Sequence, residues 1–225
     1  MEERSAAIQR VRRVIERLVR DGTAVSTADD SVHSLFPVAI SPTEGEMLRR
    51  WVEHERVART IEVGLGYGIS ARYICEGLLA NGQGAARHVA IDPNQGARFG
   101  NCALQFLDEA GVAPLVEHCP EESQIALPRF LSTDRRFDFG FVDGNHRFDG
   151  VFLDLAYLGR LVRPGGIIAV DDYQLPAIER AVSFFLNNLG WTVEEADGAD
   201  GDHHWAVLRT STAEDRRPYY HFVDF

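Results

Sequence analysis

Arg59-Thr-Ile-Glu-Val-Gly-Leu-Gly-Tyr-Gly-Ile-Ser70 sets a strand, a tight turn and a helix in immediate succession. Thr60, Ile61 and Val63 are β-branched and favour a pleated, buried strand. Glycines follow at 64, 66 and 68, and a helical stretch runs from Ser70 to about Ala80. Without a Cβ at those three positions the backbone turns sharply and a flat ligand can lie against it. The helix start behind the turn offers unpaired N–H groups and the positive end of a dipole to a carboxylate or phosphate. The pattern reads as a site for a nucleotide-type cofactor.

Outward from that turn, strands and helices alternate. Strands are expected at 59–64, 87–92, 114–119, 137–143 and 166–171, and helices at 69–80, 96–110, 122–132, 149–161 and 176–189. Alternation of this kind calls for a Rossmann-like, doubly wound and mostly parallel sheet with helices on both faces. Phe137, Phe139 and Phe141 alternate along the fourth strand and should fill one sheet face. The chain closes with an antiparallel hairpin, Trp191–Glu195 and His204–Arg209, around a polar Asp197–Asp202 loop.

Before the first strand, Ile8, Val11, Ile15, Leu18 and Val19 recur at helical spacing over 5–20, and an amphipathic helix laid on the core is expected. Residues 23–41 look irregular. Ser41-Pro-Thr-Glu44 carries helix-start chemistry: a capping hydroxyl, a proline in the first turn and an acid at the third position. One domain is expected, with N-terminal helices and a capping loop over 1–58, a core over 59–212 and an aromatic tail over 213–225.

Composition narrows the function classes. The net charge is −11, and all 23 basic residues are arginine. An acidic surface of this kind repels phosphate backbones, so no nucleic-acid partner is expected. No membrane span and no signal-peptide pattern are apparent, and the protein is expected to be cytoplasmic. Cys75, Cys102 and Cys119 are widely spaced in apolar surroundings and read as reduced, buried thiols.

In an open α/β sheet, ligands gather beyond the carboxyl ends of the strands. Here the strands end on acids: Glu62, Asp92, Asp143 and the pair Asp171-Asp172. Asp92 suits the ribose hydroxyls of a nucleotide, with a helix cap as the alternative. Glu62 either orients the glycine turn or reaches the cofactor's amino group. Ser70 either binds a carboxylate or caps its helix. Three carboxylates at 143, 171 and 172 suit a hard cation such as Mg²⁺, the alternative being strand-end acids in a metal-free enzyme.

The spacing Glu62-x-Gly64-x-Gly66-x-Gly68 resembles motif I of the class I S-adenosylmethionine (SAM) methyltransferases. It lacks the third glycine of the dinucleotide fingerprint, where Ile69 stands, although a nicotinamide cofactor stays the competing reading. Phe141-Val-Asp-Gly-Asn-His-Arg147 and Pro164-Gly-Gly-Ile-Ile-Ala-Val-Asp-Asp172 further resemble the metal-binding segments of the catechol O-methyltransferase-like family. That resemblance covers most of residues 40–209. It implies SAM as methyl donor, Mg²⁺ held by Asp143, Asp171 and Asp172, and Ser123-Gln124 against the adenine ring. It also implies a small-molecule acceptor with vicinal oxygens, a catechol or a sugar hydroxyl of a natural product. Catechol-type members often carry a lysine three residues after the first metal aspartate, and here that position is His146. With no lysine in the chain, His146 becomes the candidate general base. A metal-independent methyltransferase acting on a polar or amine substrate is the alternative. The loop at 30–40, with His33 and Phe36, and the tail Pro218–Phe225 are candidates to shape the acceptor pocket, and the tail's aromatics serve equally well between identical chains.

Overall fold

Ser41 shows how local chemistry starts an element. Its hydroxyl accepts a hydrogen bond from the Glu44 N–H at 3.2 Å, with Pro42 opening the helix that follows. In the computed structural model, which describes residues 2–197 and 204–225, the chain begins with α1 (Glu2–Asp21), β1 (Thr23–Val25), β2 (Val32–Ser34) and α2 (Pro42–His54). Next come β3 (Arg59–Val63), α3 (Ile69–Asn81), β4 (Arg87–Ile91), α4 (Cys102–Glu109) and β5 (Val116–Cys119). The remainder is α5 (Ser123–Ser132), β6 (Phe137–Val142), α6 (Phe148–Leu161), β7 (Val162–Val170), α7 (Pro176–Leu189), β8 (Thr192–Ala196) and β9 (Ala206–Arg209). The polar loop expected at 197–202 lies, from Gly198 onward, outside the described residues.

Two compact units divide the chain, Met1–Glu122 and Ser123–Phe225. In the first, β3, β4 and β5 are parallel and lie in the order β5-β4-β3. Thr60 to Val63 and His88 to Ile91 are all buried, as strands covered on both faces should be. The α1 helix buries Val11, Val14, Ile15 and Leu18 and lies against α3, as its apolar stripe predicts.

In the second unit the order is β6-β7-β9-β8, with β6 parallel to β7 and the last two strands antiparallel. Phe137, Phe139 and Phe141 are all buried. The C-terminal tail is fastened to α7. The Asn188 amide donates to the Val223 carbonyl at 2.9 Å and accepts from the Val223 N–H at 2.8 Å, and Asn187 donates to the Asp224 carbonyl at 3.1 Å. Phe225 then stacks on Phe148 and meets Phe184 edge-on, while Tyr219, Tyr220 and Phe222 stay exposed.

This is the mostly parallel, Rossmann-like α/β architecture that the alternation of elements calls for. Four boundaries differ from expectation, the slightest being β5, which starts at Val116 rather than 114 because Ala113–Leu115 form a 3-10 turn. The helix expected from residue 96 begins at Cys102, because Gly100 and Asn101 are both left-handed (φ +55° and +57°) and no right-handed helix passes through them. The segment 23–41, expected to be irregular, contains the antiparallel β1–β2 pair. The β7 strand begins at Val162 rather than 166, but its ladder with β6 skips from Phe137↔Val162 to Phe139↔Ile167. Residues 163–166 form that irregularity, with Gly165 at φ +71°, and regular pairing resumes where the strand was expected. Among the described residues no helix is long and apolar enough to cross a membrane.

Candidate active site

In the first unit, the glycine turn after β3 takes its shape from backbone conformations that other residues rarely adopt. Gly64, Gly66 and Gly68 stand at φ +94°, +51° and +71°. A Cβ on Gly68 would also stand 3.1 Å from that of Ala103, which would have to give way by a few tenths of an ångström, so crowding adds to the cost of its left-handed backbone. Neighbouring polar groups then pin the turn. Asp92, just after β4, accepts from the Gly66 N–H at 2.9 Å and from the Asn94 N–H at 2.7 Å. The Gln95 amide bridges the Gly66 carbonyl and the Asp92 carboxylate, both at 2.8 Å. Arg72, wholly buried on α3, donates to the Tyr67 carbonyl at 3.1 Å; burial pulls its pKa down to about 9. On the other side, the ring of His33 in β2 faces Tyr67 at 5.9 Å, and Phe99 meets Tyr67 edge-on at 5.1 Å. The 30–40 segment therefore reaches the turn through His33.

Glu62 and Ser70 meet directly. The Ser70 hydroxyl donates to Glu62 Oε2 at 2.8 Å, and His88 Nε2 stands 3.0 Å from Glu62 Oε1, all three residues being buried. A hydroxyl has one hydrogen, so toward any ligand Ser70 presents lone pairs only. Both oxygens of Glu62 are thus engaged, one by the first turn of α3 and one by β4. Asp92 caps no helix, since the next one begins ten residues on at Cys102.

In the second unit, Asp143 follows β6 directly and Asp171-Asp172 follows β7, so strand order alone brings the three carboxylates to one edge of a parallel pair. The Asp171 N–H donates to the Val142 carbonyl at 3.0 Å, and the Asp172 N–H to Asp171 Oδ1 at 2.6 Å. Asp172 is left-handed at φ +52°, and Gln174 donates to its Oδ1 at 3.0 Å. His146 stands between two of the acids, Nδ1 at 3.0 Å from Asp172 Oδ2 and Nε2 at 3.5 Å from Asp143 Oδ1. Contact with Asp143, and then with Asp172, pushes the imidazole pKa up to about 10. Burial raises the Asp143 carboxyl well above the usual range, the His146 contact opposes that, and the neighbouring Asp171 carboxylate adds to it.

Among the described residues no three His, Cys, Asp or Glu side chains converge at metal-holding geometry. The chemistry of the donor set nevertheless fits a hard divalent cation: three carboxylates at two neighbouring strand ends, with a surplus of negative charge that His146 meets in this arrangement. The other residues singled out in the sequence, Ser123 and Gln124, open α5. Ser123 lies near the buried Asp154 of α6.

Sequence reasoning missed His88, Gln95 and Arg72. Gln95 carries the one accessible signal, three residues past the strand-end Asp92. His88 looks like an ordinary strand residue until the register sets it beside Thr60, two positions from Glu62 on the same face.

Residues 61–173 match the family model described as a methyltransferase domain, and the chain belongs to that family. It is 31% identical over 141 residues to a caffeoyl-CoA O-methyltransferase from Populus kitakamiensis, covering 62% of this chain and 57% of that relative, under two thirds of its length. Among solved structures, the O-methyltransferase TomG from Streptomyces achromogenes, in complex with SAM, superimposes with a TM-score of 0.65 at 23% identity, covering 77% of this chain and 82% of that one. An O-methyltransferase from Bacillus cereus, in complex with S-adenosylhomocysteine (SAH), gives 0.67 at 17% identity, covering 88% and 90%.

Proposed function

We propose that this chain is a SAM-dependent O-methyltransferase of the catechol type that methylates a small molecule with vicinal oxygens. The observation that carries the reading is the gathering of Asp143, Asp172 and His146 after β6 and β7, within a chain whose family is that of methyltransferase domains. Family membership also favours SAM over a nicotinamide cofactor.

In this reading the glycine turn and Asp92 hold the cofactor, with Asp92 Oδ1 retaining a lone pair for a ribose hydroxyl beside the two backbone N–H groups and the Gln95 amide that the carboxylate already accepts. Asp143, Asp171 and Asp172 would hold Mg²⁺, whose chemistry when bound is Lewis-acid stabilisation of a deprotonated substrate oxygen. His146 takes the acceptor's proton, a contribution of about 10²–10⁴ in rate. A base needs a free lone pair, and here both ring nitrogens face carboxylates. The base role therefore belongs to the state in which Asp143 and Asp172 turn to another cation. The same acids also favour a second reading, in which they recognise a polar or amine substrate directly, as they here meet the cationic ring of His146, and no metal takes part.

Calorimetry on EDTA-treated protein separates the two. SAH is added first, Mg²⁺ second, with Asp143→Ala as control, and turnover of candidate diols is then followed with and without EDTA. Two binding events, the second absent from the variant, together with turnover that EDTA abolishes, support the metal-dependent enzyme. SAH binding with EDTA-resistant turnover supports the second reading, and no SAH binding overturns both.

A further inference from the structure

Between β3 and β4 lies a chain of side chains that the proposed chemistry does not use. Thr60 and His88 are register partners, and Thr60 Oγ1 stands 2.9 Å from His88 Nδ1. His88 Nε2 stands 3.0 Å from Glu62 Oε1, and the other oxygen of Glu62 accepts from Ser70 at 2.8 Å. Thr60, Glu62 and His88 are fully buried and Ser70 is 4% exposed. Taking Glu62 as a carboxylate and the ring as singly protonated assigns the hydrogen to Nε2 and leaves Nδ1 to accept from Thr60, whose hydroxyl also stands 3.4 Å from the Arg87 carbonyl.

A free Glu62 would seek donors from the glycine turn two residues on. A free Ser70 would rotate within the first turn of α3. With both fixed, the turn at 64–68 enters α3 at one defined position. We propose that His88 is a positioning residue of the cofactor site, holding Glu62 so that Glu62 holds Ser70 and the first turn of α3. The inference rests on the reading of the glycine turn as the cofactor's seat.

His88→Leu keeps much of the volume but strands one oxygen of Glu62 in the core, a cost that buried acceptors do not recover from water. SAH titrations are run by calorimetry, at a temperature where circular dichroism shows each variant fully folded. His88→Leu is expected to weaken SAH about tenfold, a free-energy change of the size expected for one lost buried partner. His88→Gln, whose amide can still donate to Glu62, restores most of the affinity. In the Ser70→Ala background His88→Leu adds little, since the chain is already cut at its far end. Should His88→Leu not fold, Thr60→Val frees Nδ1 while leaving the ring in place, and a smaller loss in the same direction is expected.

SAH affinity within twofold of wild type in folded His88→Leu and Thr60→Val would overturn the proposal. So would losses from His88→Leu and Ser70→Ala that simply add. Asp92→Ala keeps the two levels apart: if it too binds SAH normally, the seat itself is misplaced and the inference falls with it.

Discussion

Asp154 is the residue whose environment most opposes its chemistry. It sits on α6 at 1% exposure, without a well-formed hydrogen bond to either oxygen. Burial pushes its pKa up to about 6, and the nearby Ser123 hydroxyl offsets only part of that. The folded state thus holds this proton more tightly than the unfolded chain, whose value is 3.8. Stability from this group is greatest below about pH 4, declines as pH rises toward about 6, and is fully lost above it. Asp154→Asn should therefore stabilise the protein at pH 8 by about 2–3 kcal/mol, with the gain vanishing near pH 4. Urea denaturation at the two pH values measures it; a pH-independent difference would show that packing, not charge, governs the site. At this scale the sequence was informative where a residue's type carries its role. Glycines that must be left-handed and acids that end strands announce themselves. His88 and Arg72 do not, because their partners lie on other elements and nothing in their own neighbourhood marks them.

Among the elements, α2 shows a start that is legible in full. Ser41, Pro42 and Glu44 occupy the cap, the first turn and the third position, and the hydroxyl bond that defines the cap is present. Ser41→Ala should lower stability by about 1 kcal/mol, and Ser41→Asp should recover most of it. Thermal unfolding checks both, and equal melting temperatures for all three proteins would assign the cap no energetic role. Boundaries were hardest to read where the chain departs from one regular state without leaving it for long. The β1 and β2 strands have three residues each, too few for any period to register. The late start of α4 depends on Asn101, a residue type that enters the left-handed region only sometimes. Pro164-Gly-Gly166 looks like the end of a turn, yet it lies inside β7 as an irregularity.

For the molecule as a whole, the fold class followed from alternation of elements, whereas the candidate site was only partly legible. Its acids were found from strand ends, but the insertion of His146 between two of them depends on side-chain placement in a loop, which no spacing rule supplies. Cofactor class is testable through global stability. SAH at 100 times its dissociation constant should stabilise the folded protein by about 2.7 kcal/mol, and NADH at the same concentration should leave the melting temperature unchanged. A shift with NADH alone would reverse the assignment. The clamp that Asn187 and Asn188 place on residues 223 and 224 bears on a different observable. The Val223 amide, although the residue is 43% exposed, already donates to Asn188. Its deuterium uptake should lag behind that of Tyr219 and Tyr220 by orders of magnitude, and Asn188→Ala should erase the lag. The tail would then behave, on the exchange clock, as an outlying part of α7 rather than as loose chain.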